Sequence, residues 1–288
     1  MDSHQSHLCR AKTEDGLSLD GILLAPNSLA EDFVAFLIVH GTGSNFYAPG
    51  VLEVFADAAV ESGHVAHRVN TRGHDLQCSI PSTRQSVRGG ASFERVSECV
   101  HDIDAWVEFL VQRGCPRVVL VGHSMGGVKA AYFQAQRASA HVKAVVCISP
   151  PRFSHQHWVA HPNADAFRES YETAVALMNG GNGHHLIQCR QPLPLAVTAE
   201  GFVDKYGPSD NYDLGKLAPE LKVPLSVLVG EQTVQSSPAF DSWPAYFESN
   251  QLPPPSQFAI IPDADMNYSR NPREPFDRTL EWLEALRN

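Results

Sequence analysis

Ser124 is the residue of this chain best placed for nucleophilic chemistry. It lies in Gly122-His123-Ser124-Met125-Gly126, between the apolar run Val118–Val121 and a stretch with helical spacing from Met125. A serine on a sharp turn between strand and helix projects its hydroxyl clear of the backbone. Glycine two positions away on each side lets strand and helix approach closely. The start of the helix adds the positive end of its dipole behind any negative charge that develops there. The chemistry this suits is attack on a carbonyl carbon. A serine hydroxyl at its ordinary pKa is a weak nucleophile, so it needs an adjacent base.

The elements around Ser124 alternate. Cys9–Lys12 and Leu17–Leu24 read as strands joined by a turn at Glu14-Asp15-Gly16. Phe33–Val39 is a continuous apolar strand, Leu52–Ala59 has helical spacing and Val65–Val69 is a short strand. Val100, Ile103, Val107, Leu110 and Val111 fall on one face of a helix over Val96–Val111. Met125–Gln136 is a helix and Ala144–Ile148 an apolar strand. Between Ser149 and Val223 the pattern breaks, with many His, Pro, Gly and Asn residues and weak helical signals. It resumes with strands at Leu225–Val229 and Phe258–Ile261 and helices at Ala239–Ser249 and Pro275–Leu286. Short apolar strands alternating with helices predict an α/β fold with a mostly parallel central sheet and helices on both faces. Residues 1–149 and 223–288 form the core in this reading. Residues 150–222 form a cap or lid over the C-terminal edge of the sheet, where such sheets place ligands.

Composition narrows the partners. The 288 residues carry 22 Lys and Arg against 32 Asp and Glu, a formal charge of −10. This disfavours nucleic acid and anionic membrane surfaces, which call for clustered cations. No apolar run approaches membrane-spanning length, the longest being Phe33–Val39, and Met1–Ala11 is polar with no export-signal core. The six cysteines show no C-x-x-C pair. They predict reduced thiols and a cytoplasmic protein. No repeat is visible, and no cofactor motif is found.

With Gly122-x-Ser124-x-Gly126 in a strand–turn–helix context, the chain resembles the α/β-hydrolase superfamily along nearly all of its length. Ile38-Val-His-Gly-Thr-Gly43 matches that family's His-Gly loop, and Asn70-Thr-Arg-Gly-His74 its R-G-H segment. The resemblance implies an oxyanion hole made by the backbone N–H groups of Thr42 and Met125. It implies a structural role for His74.

Two departures follow. The family's acid comes in a pattern like V-G-E-x-D, where this chain has Val229-Gly-Glu-Gln-Thr233. Its histidine comes in a pattern like P-G-A-D-H, where this chain has Pro262-Asp-Ala-Asp-Met266. Thr233 and Met266 thus occupy the acid and base positions of a degenerate triad, and no histidine occurs after His185. Losing the histidine from a working serine hydrolase costs about 10⁶ in turnover, while about 10³-fold catalysis over water survives in the oxyanion hole and binding. The substitutes to consider are His155 and His157 from the cap, and Glu231 and Asp265 from the core. His123 is next to the serine, but neighbours on such a turn diverge. His184-His185 has no third ligand at suitable spacing, so no metal is expected.

The cap carries Phe153, Trp158, Phe167, Tyr171, Met178, Phe202, Tyr206 and Tyr212. An aromatic lid predicts a small, apolar or ring-bearing substrate, against the plainer alternative of lid packing. Arg72, Arg84, Arg88 and Arg95 could meet an anionic substrate group or simply be solvated. The expected function is an enzyme acting on an ester, thioester or lactone through Ser124, with weak or non-standard hydrolysis. Lyase- or cyclase-like chemistry is compatible, since carbonyl polarisation alone helps such steps. The irregular cap and altered triad suggest specialised metabolism. The alternative is a catalytically inactive ligand-binding or sensor protein on the same fold.

Overall fold

The computed structural model describes residues 4–287. In chain order the elements are β1 (His4–Lys12), β2 (Ser18–Pro26), β3 (Ala35–Val39), α1 (Val51–Glu61), β4 (Val65–Val69), β5 (Cys78–Ile80), β6 (Val87–Gly89), α2 (Cys99–Gln112), β7 (Val118–His123), α3 (Met125–Arg137) and β8 (Val142–Ile148). There follow α4 (His155–Ala160), α5 (Asp165–Asn179), β9 (Leu186–Cys189), β10 (Leu195–Thr198), α6 (Ala199–Tyr206), α7 (Leu214–Leu217), β11 (Leu225–Gly230), α8 (Glu231–Ser236), α9 (Trp243–Ser249), β12 (Gln257–Ile261) and α10 (Glu274–Ala285).

Eight strands form one sheet in the order β1-β2-β4-β3-β7-β8-β11-β12. The β1–β2 and β2–β4 pairs are antiparallel and all later pairs are parallel. Every residue of β3, β4 and β11 is buried. Period-two geometry sends alternate side chains to opposite faces. Ala35, Leu37 and Val39 join the core cluster that includes α2 and α3, while Phe36 and Ile38 join the cluster of α1 and α10. The sheet is therefore covered on both sides, as continuous apolar strands require.

Strand β1 starts at His4, well before the apolar residues that mark it in the sequence. It pairs with β2 along its whole length, from His4 opposite Pro26 to Lys12 opposite Ser18. Backbone hydrogen bonding, blind to side-chain polarity, accounts for the extra residues.

The segment between β8 and β11 is more helical than its composition suggests, with 15 residues in α5. Phe153, Trp158, Phe167, Phe202, Tyr206 and Tyr212 are all buried, and they belong to the same cluster as α2 and α3. Phe153 stacks on Tyr206 with ring centroids 5.1 Å apart. These rings bind the segment to the body of the protein. Met178, by contrast, is exposed. All six cysteines carry free thiols. Among the described residues no helix is long and apolar enough to cross a membrane.

Candidate active site

Ser124 sits where β7 gives way to α3, at φ 54° and ψ −125°. That backbone region is costly for any residue with a Cβ. Close packing explains the glycines around it. A Cβ on Gly122 would lie 2.1 Å from the Gly126 carbonyl carbon, and one on Gly126 would lie 2.1 Å from the Val39 oxygen. The Ser124 N–H donates to the Ile148 carbonyl at 2.8 Å, tying the turn to β8. Its hydroxyl has no hydrogen-bond partner among the described residues.

The loop after β3 comes close to this serine. The backbone N–H groups of Thr42 and Met125 have no backbone acceptor among the described residues. His40 orders the loop. Its Nε2 accepts from the Thr71 N–H at 3.2 Å, so its proton lies on Nδ1, which donates to the Gly41 carbonyl at 2.8 Å. Burial, with the nearby Lys129 charge, pushes its pKa down to about 3, so the ring is neutral at physiological pH. Lys129 donates in turn to Thr71 Oγ1 at 3.1 Å and to Glu94 at 2.6 Å, both deep in the protein. Burial alone would raise the Glu94 pKa, but the Lys129 and Lys205 charges hold it at about 2.

A cavity of about 550 Å³ opens beside Ser124. Its walls come from Gly41, Thr42, Ser44, Asn45 and Ala48 to Gly50 of the β3–α1 connection, Val51 and Leu52 at the start of α1, Arg68 of β4, His123, Met266 and Asn267. Met266 therefore faces the same space as Ser124. The His123 ring is engaged by the Met266 backbone rather than by Ser124, with Nε2 2.9 Å from the Met266 carbonyl. Nε2 must carry the proton in that contact, and burial holds the ring pKa down.

None of the four substitute acids and bases hydrogen-bonds to Ser124. His155 is bound through Nδ1 to the Tyr206 carbonyl at 2.8 Å and lies against Tyr171. His157 Nε2 meets the Pro238 carbonyl at 3.0 Å. Glu231 accepts the Asp263 N–H at 3.1 Å. Asp265 caps its own turn, accepting the Asn267 and Ser269 N–H groups at 3.0 Å each, and the Ser269 bond first among these holds its carboxyl pKa low. Thr233 is buried, and its hydroxyl has no hydrogen-bond partner among the described residues.

The arginines divide differently from the sequence reading. Arg72 is buried and locked to Asp102, so it neither reaches the cavity nor lies in solvent. Arg95 pairs with Glu200 at the surface. Arg68, which sequence reasoning passed over inside an apolar strand, is the arginine that lines the cavity. His74 is held by Asp75 at 2.9 Å, and Asp75 also accepts from Asn45 at 2.6 Å, which ties the R-G-H segment to the β3–α1 loop. His184 and His185 are exposed, and no group of three or more potential metal ligands occurs among the described residues.

Comparisons with known proteins agree with this architecture. No curated protein matches the chain. Among solved structures it is similar to the α/β hydrolase GrgF from Penicillium sp. sh18 (14% identity, TM-score 0.71, covering 98% of each chain). It is also similar to the esterase PF2001 of Pyrococcus furiosus (15% identity, TM-score 0.63, covering 98% of this chain and 92% of that one). A third is a dienelactone hydrolase from Anabaena variabilis ATCC 29413 (15% identity, TM-score 0.59, covering 98% of each). Identities this low speak to the fold alone. The sequence model of the α/β hydrolase family matches residues 36–281, which takes in the His40 loop, the Ser124 turn and the Met266 loop, and the chain belongs to that family.

Proposed function

We propose that this hydrolase-family chain acts on a small carbonyl substrate, an ester, thioester or lactone, at Ser124. The observation that carries the reading is the strained turn presenting to a cavity a hydroxyl that is unpartnered among the described residues, beside two backbone N–H groups with no backbone acceptor among them. Thr42 and Met125 would donate those N–H groups to the oxyanion, and the α3 N-terminus would add its dipole. Val51, Leu52 and Met266 give the cavity apolar walls, which suits an apolar acyl part. Residues 150–222 would act as the cap. The free thiols suit a reducing compartment such as the cytoplasm.

The proton relay is the weak point of the site. Thr233 and Met266 stand at the acid and base positions, and the ring nitrogens of His123, His155 and His157 are engaged elsewhere. Hydrolysis would be slow or replaced by a rearrangement needing only carbonyl polarisation, in a specialised pathway. That same missing relay favours the second reading, a ligand-binding protein without turnover.

The test is steady-state assay of activated esters, thioesters and lactones with Ser124→Ala as control. Saturable turnover that the substitution abolishes supports the enzyme reading. Turnover equal in both proteins sinks it.

A further inference from the structure

Arg68 has no assigned task in the chemistry above. It is the penultimate residue of β4 and its side chain is 9% exposed, yet it lines the cavity that holds Ser124. Its one hydrogen bond among the described residues runs from Nη2 to the Ala48 carbonyl. It forms a long ion pair with Glu53 at 3.9 Å, beyond hydrogen-bond reach, and Glu53 is half-exposed. A guanidinium offers five N–H donors in a flat fork. Most of them are therefore unused at the edge of the cavity. A buried guanidinium held by one hydrogen bond and one long, half-exposed ion pair keeps donor capacity for a closer anion.

A second feature meets it there. Helix α1 is 11 residues long, and Gly50 at its N-cap supplies no side-chain cap. Among the described residues the Val51 and Leu52 N–H groups have no backbone acceptor, and both residues line the same cavity as Arg68. A buried guanidinium and an uncapped helix start thus line the same cavity as Ser124.

We propose that Arg68 and the α1 N-terminus bind a carboxylate carried by the substrate or ligand, remote from the carbonyl that faces Ser124. This rests on the Ser124 reading for the word substrate, but the anion site stands on its own geometry. A monoanion fits better than a phosphate. Among the described residues Arg68 is the only Lys or Arg lining the cavity, and the Glu53 and Asp57 charges lie close enough to act on it, which disfavours a dianion. Arg–carboxylate pairs of this forked kind give geometric selection as well as affinity.

The test compares 4-phenylbutyrate with its neutral amide, 4-phenylbutyramide, by calorimetry or ligand-observed NMR. The wild type and Ser124→Ala should both bind the carboxylate at least about tenfold more tightly than the amide, the scale of a charge-assisted hydrogen bond. Arg68→Gln should bind the two probes equally, and Arg68→Lys should keep a reduced preference. Glu53→Gln, at a half-exposed position, should raise carboxylate affinity by relieving competition, and it reads the same site if Arg68→Gln fails to fold. Equal affinity of the probes for the wild type overturns the proposal. So does a preference that survives Arg68→Gln, or a Glu53→Gln variant that leaves carboxylate affinity unchanged. Because Ser124→Ala is part of the comparison, an absence of turnover leaves this result readable, and an absence of carboxylate preference leaves the turnover test untouched.

Discussion

Replacing Ser124 by glycine should stabilise the protein relative to replacing it by alanine. At φ 54° and ψ −125° the residue occupies backbone space that only glycine visits freely. Holding a residue with a Cβ there costs on the order of 1–3 kcal/mol. Glycine gives back about 0.5–1 kcal/mol through the greater freedom of its unfolded chain. The difference leaves Ser124→Gly ahead by about 1 kcal/mol, or about 2–4 °C in Tm for a domain this large. Alanine retains the strain, and the lost hydroxyl had no hydrogen-bond partner, so Ser124→Ala should melt close to the wild type. Urea and thermal unfolding of the three proteins, followed by circular dichroism, read the difference. In relaxed backbone the order reverses, with glycine about 1 kcal/mol below alanine. A Ser124→Gly variant less stable than Ser124→Ala would therefore refute the claim that the turn stores strain.

Met266→His places an imidazole on the wall of the Ser124 cavity, and ester turnover should rise by about 10²–10⁴, the usual worth of a positioned general base; an unchanged rate would mean the side chain at 266 points away from the serine. Thr233→Val removes a buried, unpartnered hydroxyl and should be neutral or stabilising by about 1 kcal/mol, with activity unchanged; a tenfold loss of turnover would give Thr233 a role. Burial pushes the pKa of both His40 and His67 down to about 3. Above the unfolded pKa of about 6.5 both states are neutral, and below it only the unfolded chain takes up the proton, so stability is lost as pH falls from about 6.5 toward 3, by about 2 kcal/mol per histidine at pH 5. His67→Leu should remove about half of that loss, because both His67 ring nitrogens are buried without partners beside Trp106 and Phe109. Unfolding free energies at pH 7.5 and pH 5 check this, and an acid sensitivity identical in His67→Leu would count against it.

The parts of this fold legible in the sequence are those where local pattern and packing agree. The apolar runs Val118–Val121 and Ala144–Ile148 lie within β7 and β8, β3 begins two residues into Phe33–Val39, and the glycines around Ser124 mark a turn whose tightness follows from 2.1 Å approaches. Strand β1 runs further than its apolar residues signal because backbone pairing with β2 needs no apolar side chains. Helix α5 leaves a weak sequence signal because only Phe167, Ser170 and Ala174 of its 15 residues are buried, a stripe too thin to stand out. The aromatic residues of 150–222 were visible, but whether a ring faces a ligand or a core depends on tertiary packing; most of them face the core. Arg68 gave no signal because a polar residue in an apolar strand says nothing about which loop will fold over it. The His123 contact to Met266 joins residues 143 positions apart, beyond any local pattern.

The central claim is that Ser124 has an oxyanion environment but no proton relay. Intact-mass labelling with a small fluorophosphonate, alongside Ser124→Ala, addresses it most directly. The account predicts no stoichiometric labelling of the wild type over hours, because no base engages the hydroxyl. Rapid, stoichiometric labelling that Ser124→Ala abolishes would contradict it, and would mean that a base reaches this serine after all.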